Sequence, residues 1–197
     1  MNSKKPNNLI QKAIDTAVKY HRGQYRKGYD FKMPYVTHAM ATAEILKRYT
    51  DDVEIISAGI LHDTIEDTNY TRSQLIKDFG KRTSKIVLCV TENISLKKKL
   101  GGLKSWKIRK QGYLDNIRRA PIECVMVSCA DKIHNLSTLS EQHKALGKRI
   151  WKKYNAHPQE HLWFFTELGK VYKKKLKNGI SAEFERVFKS ARKYFKD

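Results

Sequence analysis

A chain of 197 residues, 40% of them hydrophobic, is long enough to bury a sizeable core, and 40 Lys and Arg against 20 Asp and Glu leave a formal charge of +20. No run of about eighteen apolar residues occurs and no apolar stretch follows Met1-Asn2-Ser3-Lys4-Lys5-Pro6, so neither a membrane span nor a secretory signal is expected. The cysteines Cys89, Cys124 and Cys129 are odd in number and lack C-x-x-C spacing, which argues against disulfides and a thiolate metal site and for small buried hydrophobes in a reducing cytoplasm.

The pattern is helical almost throughout. Leu9, Ile10, Ala13, Ile14, Ala17 and Val18 predict an amphipathic first helix ending near Tyr20. A polar, Gly-containing loop from Arg22 to Met33 leads to Pro34 and a helix that carries His38 and runs to about Tyr49. Asp51 and Asp52 offer N-cap chemistry for the next helix, whose apolar residues lead directly into Leu61-His62-Asp63-Thr64-Ile65-Glu66-Asp67-Thr68. Thr71 to Phe79 reads as a short helix stopped by Gly80, and Lys81 to Thr91 follows with Ile86, Val87 and Val90 inward. Asn93 to Lys104 turns irregular and basic, the best candidate for a mobile loop. A long helix spans about Ser105 to Arg119, and Pro121 opens the Asp131 helix at its first position. Residues 141–157 are ambiguous. His157-Pro158 then precedes a helix bearing Leu162, Trp163, Phe165, Leu168 and Val171, a stripe that reads as core. Asn178-Gly179 predicts a turn, with Ser181 capping a final helix. The expected fold is all-α, one compact domain over 1–197, its core about 7–140 and its C-terminal helices, about 158–197, packed on that core.

His62, Asp63, Glu66 and Asp67 sit at the end of an apolar helix, where burial without partners would cost several kcal/mol or more each. On a continuous helix, His62 lies one turn from Glu66 and Asp63 one turn from Asp67, giving two adjacent stripes. A salt-bridged helix end facing solvent would explain this dipeptide alone. Two further helical segments supply His38 and Asp131, the latter inside Cys129-Ala130-Asp131-Lys132-Ile133-His134-Asn135-Leu136. Together His38, His62, Asp63 and Asp131 form a two-His, two-Asp set whose mixed N/O character suits Mn, Fe, Zn or another divalent ion.

The motifs His21-Arg22-Gly23-Gln24-Tyr25-Arg26-Lys27-Gly28, Pro34-Tyr35-Val36-Thr37-His38, the His62 to Thr68 stretch, Val90-Thr91-Glu92 and Ala130 to Leu136 follow one another in a familiar order. Over roughly residues 7 to 140 the chain resembles the HD-domain superfamily of metal-dependent phosphohydrolases, in particular the hydrolase domain of the RelA/SpoT family and the small alarmone hydrolases. The resemblance implies an all-helical enzyme that removes the 3′-pyrophosphate of guanosine tetra- or pentaphosphate, usually with one manganese ion. It also places Arg26 and Lys27 near the nucleobase and phosphates, and Asn135 and Thr138 at the nucleoside. Ala39-Met40 after His38, Ser128-Cys129 before Ala130-Asp131, and the stretch from Gly28 to Tyr35 depart from the better-known members.

Hydrolysing a pyrophosphate needs a nucleophilic oxygen at neutral pH and neutralisation of the phosphoryl oxygens, which a divalent ion on the four ligands would supply. Glu66 and Asp67 are the candidates for handling the attacking water. Two alternatives stay open: an HD phosphohydrolase for another nucleotide or phosphorylated dinucleotide, and a non-enzymatic, basic nucleic-acid-binding domain, since excess Lys and Arg attract any polyanion.

Overall fold

The computed structural model describes residues 7–29 and 31–196; Met1 to Pro6, read above for a signal, and Asp30 of the Gly28–Tyr35 stretch lie outside them. Among the described residues the architecture is all-α, and the one extended pairing is a single antiparallel bridge between Tyr25 and Pro34. In chain order the helices are α1 (Asn7–Tyr20), α2 (Val36–Lys47), α3 (Val53–Leu61), α4 (Thr64–Asp67), α5 (Arg72–Val90), α6 (Ile94–Leu100), α7 (Trp106–Arg119), α8 (Ile122–Leu146), α9 (Pro158–Lys175) and α10 (Ile180–Ala191), with 3-10 segments at Gly147–Lys153 and Arg192–Phe195. No helix among the described residues is long and apolar enough to cross a membrane.

The axis is α8. Its stretch from Cys124 to Ile133 is buried without a break, so it is covered all round, by α2, α3, α5 and α7 on the site side and by α9 and α10 beyond. The C-terminal helices pack through Phe165, Leu168, Tyr172 and Phe184, all within the one contiguous apolar cluster. α1 lays the fully buried Ala13 and Ala17 against α3, small residues that let two helices approach closely.

Local chemistry accounts for most helix ends. Asp52 caps α3 by accepting from the amides of Glu54 and Ile55 at 3.0 and 3.3 Å. Thr71 and Gln74 form a reciprocal capping box at the start of α5. Gly80 ends the first half of α5 at φ 75°, ψ 178°, and the chain re-enters a helix at once.

Four expectations need correction. α3 stops at Leu61 and restarts as α4 at Thr64, so His62 and Asp63 occupy a tight turn and not the middle of a helix. The basic stretch after Asn93 is largely the helix α6, started by the Asn93 side chain accepting from the Ser95 amide at 3.1 Å and ended at Gly101, φ 79°. Pro121 is the N-cap of α8, one position before the helix begins. The α10 cap position belongs to Gly179, φ 84°, whereas Ser181 lies inside the helix and donates back to the Leu176 carbonyl at 3.3 Å. The ambiguous stretch 141–157 resolves into the end of α8 and a 3-10 segment. Cys124 and Cys129 are buried, but Cys89 is only half-buried; all three are free thiols.

Gly80 and Gly112 should respond oppositely to alanine. A Cβ at either meets nothing within 4 Å, but Gly80 occupies a region essentially closed to other residues, so Gly80→Ala should cost roughly 1–3 kcal/mol. Gly112 lies inside α7, so Gly112→Ala should add about 0.5–1 kcal/mol. Urea denaturation of both variants checks this; a shift of the same sign in both would contradict it.

Candidate metal centre and active site

His38 comes from α2, His62 and Asp63 from the break between α3 and α4, and Asp131 from the middle of α8. Nε2 of His38 stands 3.1 Å from Nε2 of His62 and 3.1 Å from Oδ1 of Asp131, and the His62–Asp131 separation is 3.7 Å. These three side chains offer ligand atoms within 4.8 Å of one another. Asp63 lies outside that trio but beside it, its Oδ2 3.4 Å from His38 Nε2 and 3.1 Å from His62 Nε2. Ligand atoms bound at about 2.1 Å and at right angles lie about 3 Å apart, so the spacing fits one divalent ion.

The histidines are also turned correctly. Nδ1 of His62 lies 2.7 Å from the Gly59 carbonyl and must donate to it, so that in the neutral ring Nε2 faces the cluster with its lone pair. Nδ1 of His38 lies 2.7 Å from Nδ1 of His134. Burial first, then the neighbouring His38, push His134 down to about 3, so it is neutral and can accept the His38 proton. With His38 donating to His134 and both rings neutral, both Nε2 atoms would be free to ligate, the arrangement that metal-binding imidazoles need from their outer partners. The carboxylates are held as well. Tyr35 donates its hydroxyl to Asp63 at 2.5 Å, and Lys132 and Asn135 both donate to Asp131.

The carboxylates and the His62 imidazole support one another's charged forms. Burial disfavours the His62 imidazolium, yet Asp63 and Asp131 outweigh it and raise the His62 pKa well above its usual range. Burial also works against both carboxylates, but His62 and His38 hold Asp63, and Lys132 with the two histidines holds Asp131, well below the ordinary value.

Glu66 and Asp67 line the same cavity of about 180 Å³, with Arg26 and Asn135 at its rim. One oxygen of Glu66 accepts from the backbone amide of Glu92. Burial, then Asp63 and Glu92, push Glu66 up to about 8. Arg26 donates to Asn135 at 3.1 Å and lies over the Tyr35 ring. A wider hollow of about 340 Å³ opens beyond, lined by Arg26, Lys27, Asn135, Tyr154 and His161 among others. Lys27 is exposed there, and its carbonyl accepts from Gln142 of α8 at 2.7 Å. Thr138, 3% exposed, lies one turn past Asn135 but lines neither cavity.

Sequence reasoning missed the roles of Tyr35, His134, Lys132 and Glu92, although each lies within the motifs it quoted. A helical-wheel count places His134 one turn from Asp131; Glu92, in the turn after α5, carries no local signal for its partners.

The sequence and the fold have counterparts in other proteins. A family profile described as HD domain matches residues 13–156. The chain belongs to the HD-domain family. Among curated relatives, the HD-domain chain is 34% identical over 139 residues to a guanosine-3′,5′-bis(diphosphate) 3′-pyrophosphohydrolase of Haemophilus influenzae, covering 68% of this chain and 19% of that one. The corresponding Borreliella burgdorferi protein is 30% identical, with 73% and 21% covered. The chain thus spans about a fifth of these two bacterial relatives. The guanosine-3′,5′-bis(diphosphate) 3′-pyrophosphohydrolase MESH1 of Danio rerio is 31% identical, with 67% of this chain and 69% of that one covered. Among solved structures, a metazoan ortholog of SpoT, described as hydrolysing ppGpp, superposes with a TM-score of 0.75 at 21% identity, covering 95% and 97%. A Listeria monocytogenes crystal structure gives 0.67 at 26% identity, covering 83% and 97%.

Two predictions follow from the proton inventory. A divalent cation such as Mn²⁺ binding among these side chains at pH 7 should release about one proton, because a His62 held as imidazolium would have to deprotonate to ligate. Calorimetry in buffers of different ionisation enthalpy reads this directly; a buffer-independent heat would refute it. In the metal-free protein Glu66 titrates above its unfolded value, so its contribution to stability is full below about pH 4.5 and fades as pH rises through about 8. Glu66→Gln should therefore raise Tm relative to wild type more at pH 9 than at pH 6; a constant difference would contradict the burial argument.

Proposed function

We propose that this chain is a divalent-metal-dependent pyrophosphohydrolase that removes the 3′-pyrophosphate of guanosine tetra- or pentaphosphate, with manganese at His38, His62, Asp63 and Asp131 and the cytoplasm as its place of action. The observation that carries the reading is the grouping of two Nε2 atoms and Asp131 Oδ1 within 4.8 Å of one another, with Asp63 Oδ2 beside them and Glu66 and Arg26 lining the same cavity. The printed names of the relatives supply the substrate.

A divalent ion there supplies charge neutralisation for phosphoryl oxygens and acidifies water. Glu66 takes the proton that the attacking water loses. Its pKa near 8 without the ion gives it affinity for that proton, and an added positive charge brings it back into the neutral range where a base works best. Asp67, on the same wall of the cavity, orients the water. Arg26 presents a planar cation for stacking or a bidentate grip, and Lys27 a point charge for phosphate. Asn135, already bonded to both Arg26 and Asp131, links nucleotide recognition to the ligand set. Thr138 belongs to the nucleoside contacts only if the wall of α8 shifts on binding, because it is buried beneath the surface of the hollow. Products are inorganic pyrophosphate and the 3′-hydroxyl.

Asp63→Ala should abolish bound metal and turnover of guanosine tetraphosphate together while leaving a helical protein. Glu66→Gln should keep metal and KM but lower kcat about a hundredfold or more. Arg26→Ala should act mainly on KM. Unchanged kcat in Glu66→Gln removes the base assignment, and turnover of other nucleotides in preference to guanosine tetraphosphate redirects the substrate. Tight, salt-sensitive DNA binding without any nucleotide turnover would replace the enzyme by a nucleic-acid-binding domain.

A further inference from the structure

A second buried charge cluster adjoins the metal ligands without belonging to them. Glu92, in the turn between α5 and α6, has a side chain only 8% exposed, and its carboxylate is gripped by Arg109 and Lys110, consecutive residues of α7. Arg109 is equally buried, and its Nε donates at 3.1 Å to Ser105 Oγ, whose hydroxyl in turn donates to the Gly101 carbonyl at 2.6 Å. The same residue that α7 holds by its side chain offers its backbone N–H to Oε1 of Glu66. Glu92 therefore faces two ways, its carboxylate toward α7 and its amide toward the site.

Buried ion pairs are poor investments in stability, since apolar residues of similar volume often serve as well or better. Their geometry is well defined, however, and here it fixes a peptide group beside a carboxylate that otherwise hangs from a four-residue helix, α4. We propose that the Arg109–Glu92–Lys110 cluster is a positioning device for Glu66: it pins the peptide of residue 92 so that one Glu66 oxygen is tethered and the other is presented to the cavity. Lys110 and Glu92 line that cavity too, so the device reaches the edge of the space the water would occupy. It makes α7 and the 91–105 segment, which contribute none of the four metal ligands, part of the catalytic apparatus. The functional half of the inference rests on the hydrolase reading above; the structural half does not.

The test uses the full chain, metal-loaded, as Glu92→Gln, as Arg109→Lys in case the first fails to fold, and as each combined with Glu66→Gln. Glu92→Gln should lower kcat for guanosine tetraphosphate about tenfold or more, with metal content and KM near wild type, because loss of alignment acts on the chemical step. In the Glu66→Gln background the same change should add little, since there is no longer a base to position. Independently of turnover, NMR hydrogen exchange of the residue-92 amide should quicken at least several-fold in both single variants. Equal losses of kcat in the two backgrounds, or unaltered exchange in both single variants, would overturn the proposal. Wild-type protein that does not hydrolyse the nucleotide but shows the expected change in exchange would remove the hydrolase reading and leave the pinning of Glu66 intact.

Discussion

Two imidazole nitrogens 3.1 Å apart and two carboxylate oxygens 3.1–3.7 Å from them crowd one small volume, and their lone pairs and charges must be matched by protons or a cation. The rest of the fold is arranged around that requirement. Asp63 and Asp131 bring two negative charges to the pair, a sum that one divalent cation would balance. Because each ligand pair comes from a different part of the chain, α2, α3 and α8 must pack against one another for the charges to cancel, and the apolar surfaces of those helices make that packing favourable.

The break after Leu61 is slight in its backbone angles: His62 (φ −55°, ψ −34°) and Asp63 (φ −95°, ψ −6°) stay in the right-handed region, the Thr64 hydroxyl donates to the Leu61 carbonyl at 2.6 Å, and His62 Nε2 and Asp63 Oδ2 come to 3.1 Å. Glu66 and Asp67 then follow on a separate short helix, free to take a wall of the cavity that the ligands do not occupy.

What was legible in the chain was whatever a local pattern could encode. Ionisable residues embedded in apolar helical runs marked His38, His62, Asp63 and Asp131; of these, His38, His62 and Asp131 bring ligand atoms within 4.8 Å of one another, with Asp63 beside them. Gly80 announced a helix end because almost no other residue tolerates its backbone angles. What a local pattern could not carry was lost. Asn93 to Lys104 looked irregular because its lysines and glycines suit a loop, yet an Asn cap and a terminal Gly suffice for two turns of helix between α5 and α7. Ser181 and Gly179 are both plausible helix starts, and the turn geometry selected the glycine. Tyr35, His134 and Glu92 look like ordinary members of their segments; their roles arise from residues 28, 96 and 26 positions away. Such pairings are tertiary facts, invisible to periodicity.

The loop that presents Arg26 and Lys27 is latched to α8 at two places. Arg26 reaches Asn135, and Gln142 holds the Lys27 carbonyl while its amide packs where a Cβ on Gly28 would stand, 2.4 Å away. A polyanionic ligand arriving at this hollow would meet cations whose backbone has already lost much of its freedom during folding. Little conformational entropy remains to be surrendered on binding, so affinity can come from few contacts. The same latching limits how far the loop backbone can shift, so the spacing between that loop and Asp131 would filter which ligands fit.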